Sequence, residues 1–230
     1  MKNFLENKRK IYFFFTKFHH LLFSEKFKGK INFNFDTSKS RFDLINDSII
    51  KNKYSSYLEI GCDQDQIFQK IKIKDKVGVD PVSGGNFRGT SDEFFNQNIQ
   101  TFDCIFIDGL HEYNQVKKDI INSLKFLNNN GVIFLHDCLP DTISKQYVPR
   151  CRYSWNGDVW KAIVEMRTRK DLDTCTSLID QGVAIIKKRQ NQDLLKNSIE
   201  NFKALTFQYF YENYTKVMRL KNYKESVNFF

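Results

Sequence analysis

Four short apolar segments, each running into polar residues, constrain what this chain can fold into: Tyr57-Leu58-Glu59-Ile60-Gly61, Lys76-Val77-Gly78-Val79-Asp80, residues 102–108 and residues 131–136. Amphipathic stretches lie between them, which is the pattern of βαβ units stacking into a parallel sheet. With 41% hydrophobic and 27% charged residues, the 230-residue chain is no disordered or low-complexity polymer. Its 10 Gly and 3 Pro oppose a turn-rich all-β fold. No apolar run reaches the ~18 residues that span a bilayer, since residues 11–23 are interrupted by Lys17, His19 and His20.

Phe42, Leu44, Ile45, Ile49 and Ile50 recur at helical spacing and predict a helix over residues 41–53. Val116, Ile120, Ile121, Leu124 and Leu127 form one stripe of a helix over 113–127, closed by Asn128-Asn129-Asn130-Gly131. Asp158 is expected to cap a helix over 159–169. Residues 172–179 and 182–187, separated by Asp180-Gln181, read as an antiparallel hairpin. The chain thus divides into a basic aromatic arm (1–40), a core domain (41–190) and a helical extension (191–230).

The net charge of +9 is concentrated in the arm, where residues 1–30 carry eight Lys/Arg against Glu6 and Glu25, mixed with Phe4, Phe13, Phe14, Phe15, Phe18 and Phe23. Such an arm suits nucleic acid, an anionic membrane surface or a partner subunit. The alternative is a helix covering its own domain with a solvated basic face. Homo-oligomerisation through this arm or the C-terminal helices is a related expectation. The five cysteines are odd in number and lack any C-x-x-C pair, so they read as reduced thiols of a cytoplasmic protein. The amino terminus lacks the apolar core and cleavage site of an export signal.

In an open parallel sheet, ligands bind beyond the carboxyl ends of the strands. The first strand ends at Gly61, where the backbone can turn sharply, and the second at Asp80, suited to the two hydroxyls of a ribose. The dinucleotide signature G-x-G-x-x-G is absent, because Asp63 and Gln66 stand at its second and third glycine positions. Carboxylates there repel a pyrophosphate and favour a positively charged nucleoside.

Over residues 41–188 this arrangement resembles the class I S-adenosylmethionine-dependent methyltransferases. The four strand segments follow that family's order and spacing, including Phe102-Asp103-Cys104-Ile105-Phe106-Ile107-Asp108 and Gly131-Val132-Ile133-Phe134-Leu135-His136-Asp137, and the closing hairpin is present. The resemblance implies a Rossmann-like, mostly parallel seven-stranded sheet with a terminal antiparallel hairpin and helices on both faces. It also implies S-adenosylmethionine as cofactor, held by Glu59, Gly61, Asp63, Asp80, Ser91 and Asp92. Asp63 departs from the second glycine many members keep, and Ser91 has the alternative role of capping Glu93-Phe94-Phe95.

The second constellation is Asp108-Gly109-Leu110-His111-Glu112 with His136-Asp137 one strand later. Hard oxygen ligands here suit Mg²⁺, a metal lowers the pKa of an acceptor hydroxyl, and His111 is suited to take a proton near neutral pH. The arrangement resembles that of metal-dependent sugar and small-molecule O-methyltransferases. That resemblance implies Asp108 and Asp137 as ligands and His111 as base. His136 stands where those sugar enzymes keep an acidic residue, which leaves two alternatives: a softer ion such as Mn²⁺ with His136 in its shell, or no metal and His136 as second base or substrate contact. In a third reading Asp108 and Asp137 only cap the following segments.

Trp155 and Asp158, after an irregular stretch over 139–154, are expected to meet the substrate, Trp155 by stacking on a sugar or aromatic acceptor, whereas Trp160 reads as core. The acceptor is a small molecule or a saccharide, free or lipid-linked. Nucleic acid is disfavoured, because no Asn-Pro-Pro-Tyr-like loop is present. The rival readings are a nicotinamide-dependent oxidoreductase and a basic nucleic-acid or membrane-surface module on a vestigial methyltransferase fold.

Overall fold

The computed structural model describes residues 2–230, with side chains from Glu6 onward, so the side chains of Lys2 and Phe4 lie outside the described set. The four apolar segments are the middle of one sheet. β1 (Ser56–Ile60) pairs in parallel with β2 (Asp75–Asp80) on one side and with β4 (Phe102–Ile107) on the other. β3 (Phe87–Arg88) lies outside β2, and β5 (Leu127–Leu135) runs parallel to β4. The hairpin of β6 (Leu172–Ser177) and β7 (Val183–Lys188) then adds antiparallel to β5 through β7. The sheet has eight strands where seven were expected. The extra edge is β8 (Leu220–Lys221), which pairs in parallel with β6 and comes from the segment expected to be helical only.

Side-chain alternation decides the layers, because successive residues of a strand face opposite sides. In β4, Ile105 and Ile107 join one core with Ile133 and Leu135, while Cys104 and Phe106 join another with Val132 and Phe134. The first core is covered by α3 (Ser91–Gln97), α4 (Tyr113–Phe126), α6 (Val159–Met166) and α7 (Phe207–Met218), through residues such as Phe94, Ile120, Trp160 and Phe210. The second is covered by α2 (Arg41–Asn52), through Leu44, Ile45 and Ile49, and by the C-terminal Phe229 and Phe230 beyond α8 (Tyr223–Val227). Strands apolar on both sides are therefore sandwiched between helices, as the sequence pattern requires. Trp160 is fully buried and donates its indole N–H to Gln146 Oε1 at 2.7 Å. All five cysteines are free and buried.

Three local readings are corrected. Asn128-Asn129-Asn130 do not close α4 but extend β5, with the Asn128 amide donating to Asp103 at 2.7 Å. Helix α6 stops at Met166. Thr90, not Ser91, caps α3, through a reciprocal pairing with Glu93. Residues before α2 form α1 (Lys2–Phe23) and an extended stretch tied to the loop after β5 by Ile31 N–H to the Asp141 carbonyl at 2.9 Å. That loop contains the short α5 (Ile143–Gln146).

The C-terminal edge is fastened by one fully buried carboxylate, Asp173 of β6, which Arg189 approaches at 2.7 Å and Arg219 at 2.6 Å. Removing its charge leaves two guanidinium groups facing a neutral amide. Asp173→Asn is therefore expected to lower unfolding stability by roughly 3 kcal/mol in urea titrations; a change below about 0.5 kcal/mol, the usual size for an uninvolved surface site, would contradict this role.

Candidate active site

Strand order reverses between β1 and β4, so the connections leave their carboxyl ends in opposite directions and open a crevice there. A cleft of about 880 Å³ occupies that position. Glu59, Gly61, Asp63, Asp80, Ser91, Asp92, Asp108, His111, His136, Asp137 and Trp155 all line it.

One half is built by the ends of β1 and β2. Gly61 has φ of +88°, and a Cβ there would meet the Asp108 carbonyl oxygen at 2.3 Å, so the chain passes over the end of β4 only because the side chain is missing. Asp63 has φ of +46°. Where a second glycine was the comparison, the backbone is indeed left-handed, and aspartate is one of the few side chains that tolerates it. The Asp80 carboxylate accepts backbone N–H groups of Asp63 (2.9 Å), Val82 and Ser83 (both 2.8 Å). Burial would raise its pKa, but these donors hold it below the usual carboxylate value. Glu59 behaves oppositely: burial and the nearby charges of Asp108 and Asp65 push it up to about 8, against the Tyr57 hydroxyl that donates to it at 2.6 Å. On the far side Gln115 donates to Ser91 Oγ (3.2 Å) and to Asp119 (3.0 Å), while Asp92 pairs with Lys118 at 2.6 Å.

The other half is a charge cluster at the ends of β4 and β5. His111 lies between two carboxylates, Nε2 3.2 Å from Asp108 Oδ1 and Nδ1 3.2 Å from Asp137 Oδ2. Burial alone would lower its pKa, but the hydrogen bond to Asp108 and the charge of Asp137 raise it. His136 is 5% exposed, with Nδ1 3.2 Å from Asp108 and Nε2 2.8 Å from the Asp180 carbonyl. Burial again opposes, yet Asp108 and Asp137 push it up to about 10, so it is an imidazolium at neutral pH. Asp108 is held well below the usual carboxylate range by both histidines despite its burial, whereas burial keeps Asp137 raised. Arg41 completes the cluster, 2.6 Å from Asp180 and 3.8 Å from Asp108.

The loop over residues 147–158 forms the outer wall. Asn156 is fully buried and donates to Asp137 Oδ1 at 3.0 Å. Gly157 has φ of +62°, and a Cβ there would meet the His111 carbonyl at 1.8 Å. Trp155 does not stand open as a stacking platform: its ring stacks on His111 at 5.4 Å, and Arg150 lies 5.5 Å from its centroid. Asp158 is absent from the cleft lining. Its carboxylate accepts the Tyr113 N–H at 2.6 Å, so it caps α4, and it makes no side-chain cap on α6.

Among the described residues, those within metal-ligating reach of one another are Asp108, His111 and Asp137. His136, expected in that set, lies outside it, with Nδ1 3.2 Å from Asp108 and Nε2 2.8 Å from the Asp180 carbonyl. Arg41, Asp180, Asn156, Gln115 and Asp119 were not singled out from sequence. Arg41 carried one usable signal: a cation in the first turn of a helix opposes the helix dipole and calls for a carboxylate nearby.

Comparison with known proteins agrees with the fold. Residues 59–138 match the family model described as a methyltransferase domain. No curated protein matched the chain. Among solved structures, the S-adenosylhomocysteine-bound Podospora anserina methyltransferase PaMTH1 is similar with a TM-score of 0.51 at 15% identity, over 66% of this chain and 80% of that one. The Bacillus cereus O-methyltransferase in complex with S-adenosylhomocysteine is similar with a TM-score of 0.51 at 12% identity, over 67% and 84%. At these identities the likeness is one of fold.

Two outcomes follow from this geometry. Gly61→Ala should weaken S-adenosylhomocysteine binding by about tenfold or more in calorimetry, because its methyl must push β1 away from Asp108; unchanged affinity would show that the turn does not shape the cleft. His136 binds its proton more tightly folded than unfolded, so its contribution to stability is complete below pH ~6.5 and is lost as pH rises toward about 10. Tm should fall across that window, and His136→Gln should flatten the fall. A wild-type Tm that is flat or rises there contradicts the assignment.

Proposed function

We propose that this chain, whose residues 59–138 match a methyltransferase-domain model, is a class I S-adenosylmethionine-dependent enzyme that methylates a hydroxyl of a sugar or other small molecule, with His111 as the base. The observation behind this reading is the placement of His111 between Asp108 and Asp137 on the wall of the cleft that Asp80 and Gly61 also line.

Methyl transfer from a sulfonium is an in-line displacement whose leaving group is a neutral thioether and needs no acid. The protein's work is therefore positioning and deprotonation. Asp80, kept ionised, would hold the ribose hydroxyls, and Glu59 and Asp63 line the side where the methionine portion would lie. Ser91 and Asp92 would border the adenine. As the acceptor oxygen attacks the methyl carbon, its proton passes to a ring nitrogen of His111. The imidazolium so formed is stabilised by carboxylates on both sides. His136 and Arg41 take no proton; they hold Asp108 ionised and fixed.

A second reading has one observation in its favour. Asp108, His111 and Asp137 offer ligand atoms all within 4.8 Å of one another. Two carboxylates and an imidazole fit Mg²⁺ or Mn²⁺. An ion held by these residues would supply Lewis acidity that lowers the pKa of the acceptor hydroxyl.

His111 must be neutral to accept a proton, and its pKa is raised above 6.5, so kcat/KM should climb with pH along a limb centred above that value. His111→Asn is expected to cut the rate by roughly 10²–10⁴ and to abolish the limb, with S-adenosylhomocysteine affinity kept within about twofold. A variant that retains full rate excludes the base. Treatment with EDTA separates the two readings: unchanged activity selects His111 alone, and loss restored by Mn²⁺ selects the ion.

A further inference from the structure

Helix α1 takes no part in that chemistry. Among residues 6–23 only Phe13, Thr16 and His20 are buried, and at 100° per residue they share one face. That face grips the loop over 147–153: Phe13 meets the Tyr153 ring edge-on at 5.2 Å, while His20 stacks on Tyr147 at 4.2 Å and its Nε2 lies 2.7 Å from the Pro149 carbonyl. The opposite face is apolar and open. Ile11, Phe14, Phe15, Phe18, Leu21 and Leu22 form a continuous stripe there, each between 54% and 68% exposed. By the same angular spacing Lys10 and Lys17 border it on one side and Lys8 and His19 on the other.

On the Lys17 side, α1 and the loop enclose a second cavity of about 480 Å³. Lys17, Lys26 and Arg152 line it, and no carboxylate does. An apolar stripe bordered by lysines, with a cationic recess at its edge, matches acyl chains below a layer of anionic headgroups. A second copy of this chain is the poorer occupant, because pairing two copies of residues 1–30, each carrying eight Lys/Arg against two Glu, sets like charge against like. No helix among the described residues is long and apolar enough to cross a membrane, which leaves a helix lying in the interface plane.

We propose that α1 docks on an anionic lipid bilayer, its aromatic stripe in the acyl boundary and its lysines among the headgroups. The docking stands independently of the methyl-transfer reading. Joined to that reading, it brings the wall carrying Arg150, Tyr153 and Trp155 close to the membrane and favours an acceptor carried on lipid.

The test is flotation of the full-length protein with vesicles of phosphatidylcholine, alone or with phosphatidylglycerol, beside light scattering for oligomeric state and S-adenosylhomocysteine titration as a control for fold. Salt-sensitive binding to the phosphatidylglycerol vesicles is expected. Lys17→Gln with Lys26→Gln should weaken it about thirtyfold, and Phe14→Ser with Phe18→Ser about a hundredfold, both with nucleoside binding intact. Equal binding to both vesicle types, or no vesicle binding, overturns the proposal, as does a dimer that Phe14→Ser with Phe18→Ser dissociates.

Discussion

Three carboxylates, Asp108, Asp137 and Asp180, are drawn toward one point at the ends of β4, β5 and the hairpin, and withdrawing them from water is tolerable only because Arg41, His111 and His136 stand between them. An unpaired buried carboxylate costs several kcal/mol and would neutralise itself by taking a proton. Here the cations come from different parts of the chain. Arg41 opens α2, His111 precedes α4 and His136 follows β5, so the charge balance at the cleft ties the ends of those elements to one another. The geometry of the site and the docking of its helices are the same constraint.

The balance is uneven across the cleft, and the unevenness carries chemistry. Asp80 is tied to three backbone N–H groups and stays ionised, Glu59 is raised to about 8, and His136 is raised to about 10. Groups with divergent proton affinities around one cleft suit the acid–base role proposed for it. The loop over 147–158 then closes the outer side, where Asn156 steadies Asp137 and the bare backbone of Gly157 lies against His111. Because the same loop is held from outside by Phe13 and His20, the amino-terminal helix and the cleft are mechanically adjacent.

Much of this was legible in the sequence because a sheet buried on both faces leaves a strong mark. The middles of β4 and β5, residues 104–107 and 132–135, are apolar at every position, β1 and β2 less so, and the polar ends of all four name the lining of the cleft. Asn128-Asn129-Asn130-Gly131 misled because it carries helix-stop chemistry, while the start of β5 is set by Leu127 pairing with Phe102 in the neighbouring strand. The pairing of Arg41 with Asp180 escaped notice for a related reason. They sit 139 residues apart, and no local pattern announces that a hairpin turn will face the first residue of a distant helix. Asp158 looked like a cap for the helix that follows it, and it is a cap, but of α4, which the fold brings alongside.

In the proposed function a positively charged nucleoside occupies the rim with its sulfur facing the charge cluster. A crystal structure of the protein grown with S-adenosylhomocysteine tests this most directly. The expected result has the ribose hydroxyls within hydrogen-bonding reach of Asp80, the adenine beside Ser91 and Asp92, and the sulfur turned toward His111. A nucleoside bound elsewhere, or bound in the cleft with its sulfur turned away from His111, would contradict it.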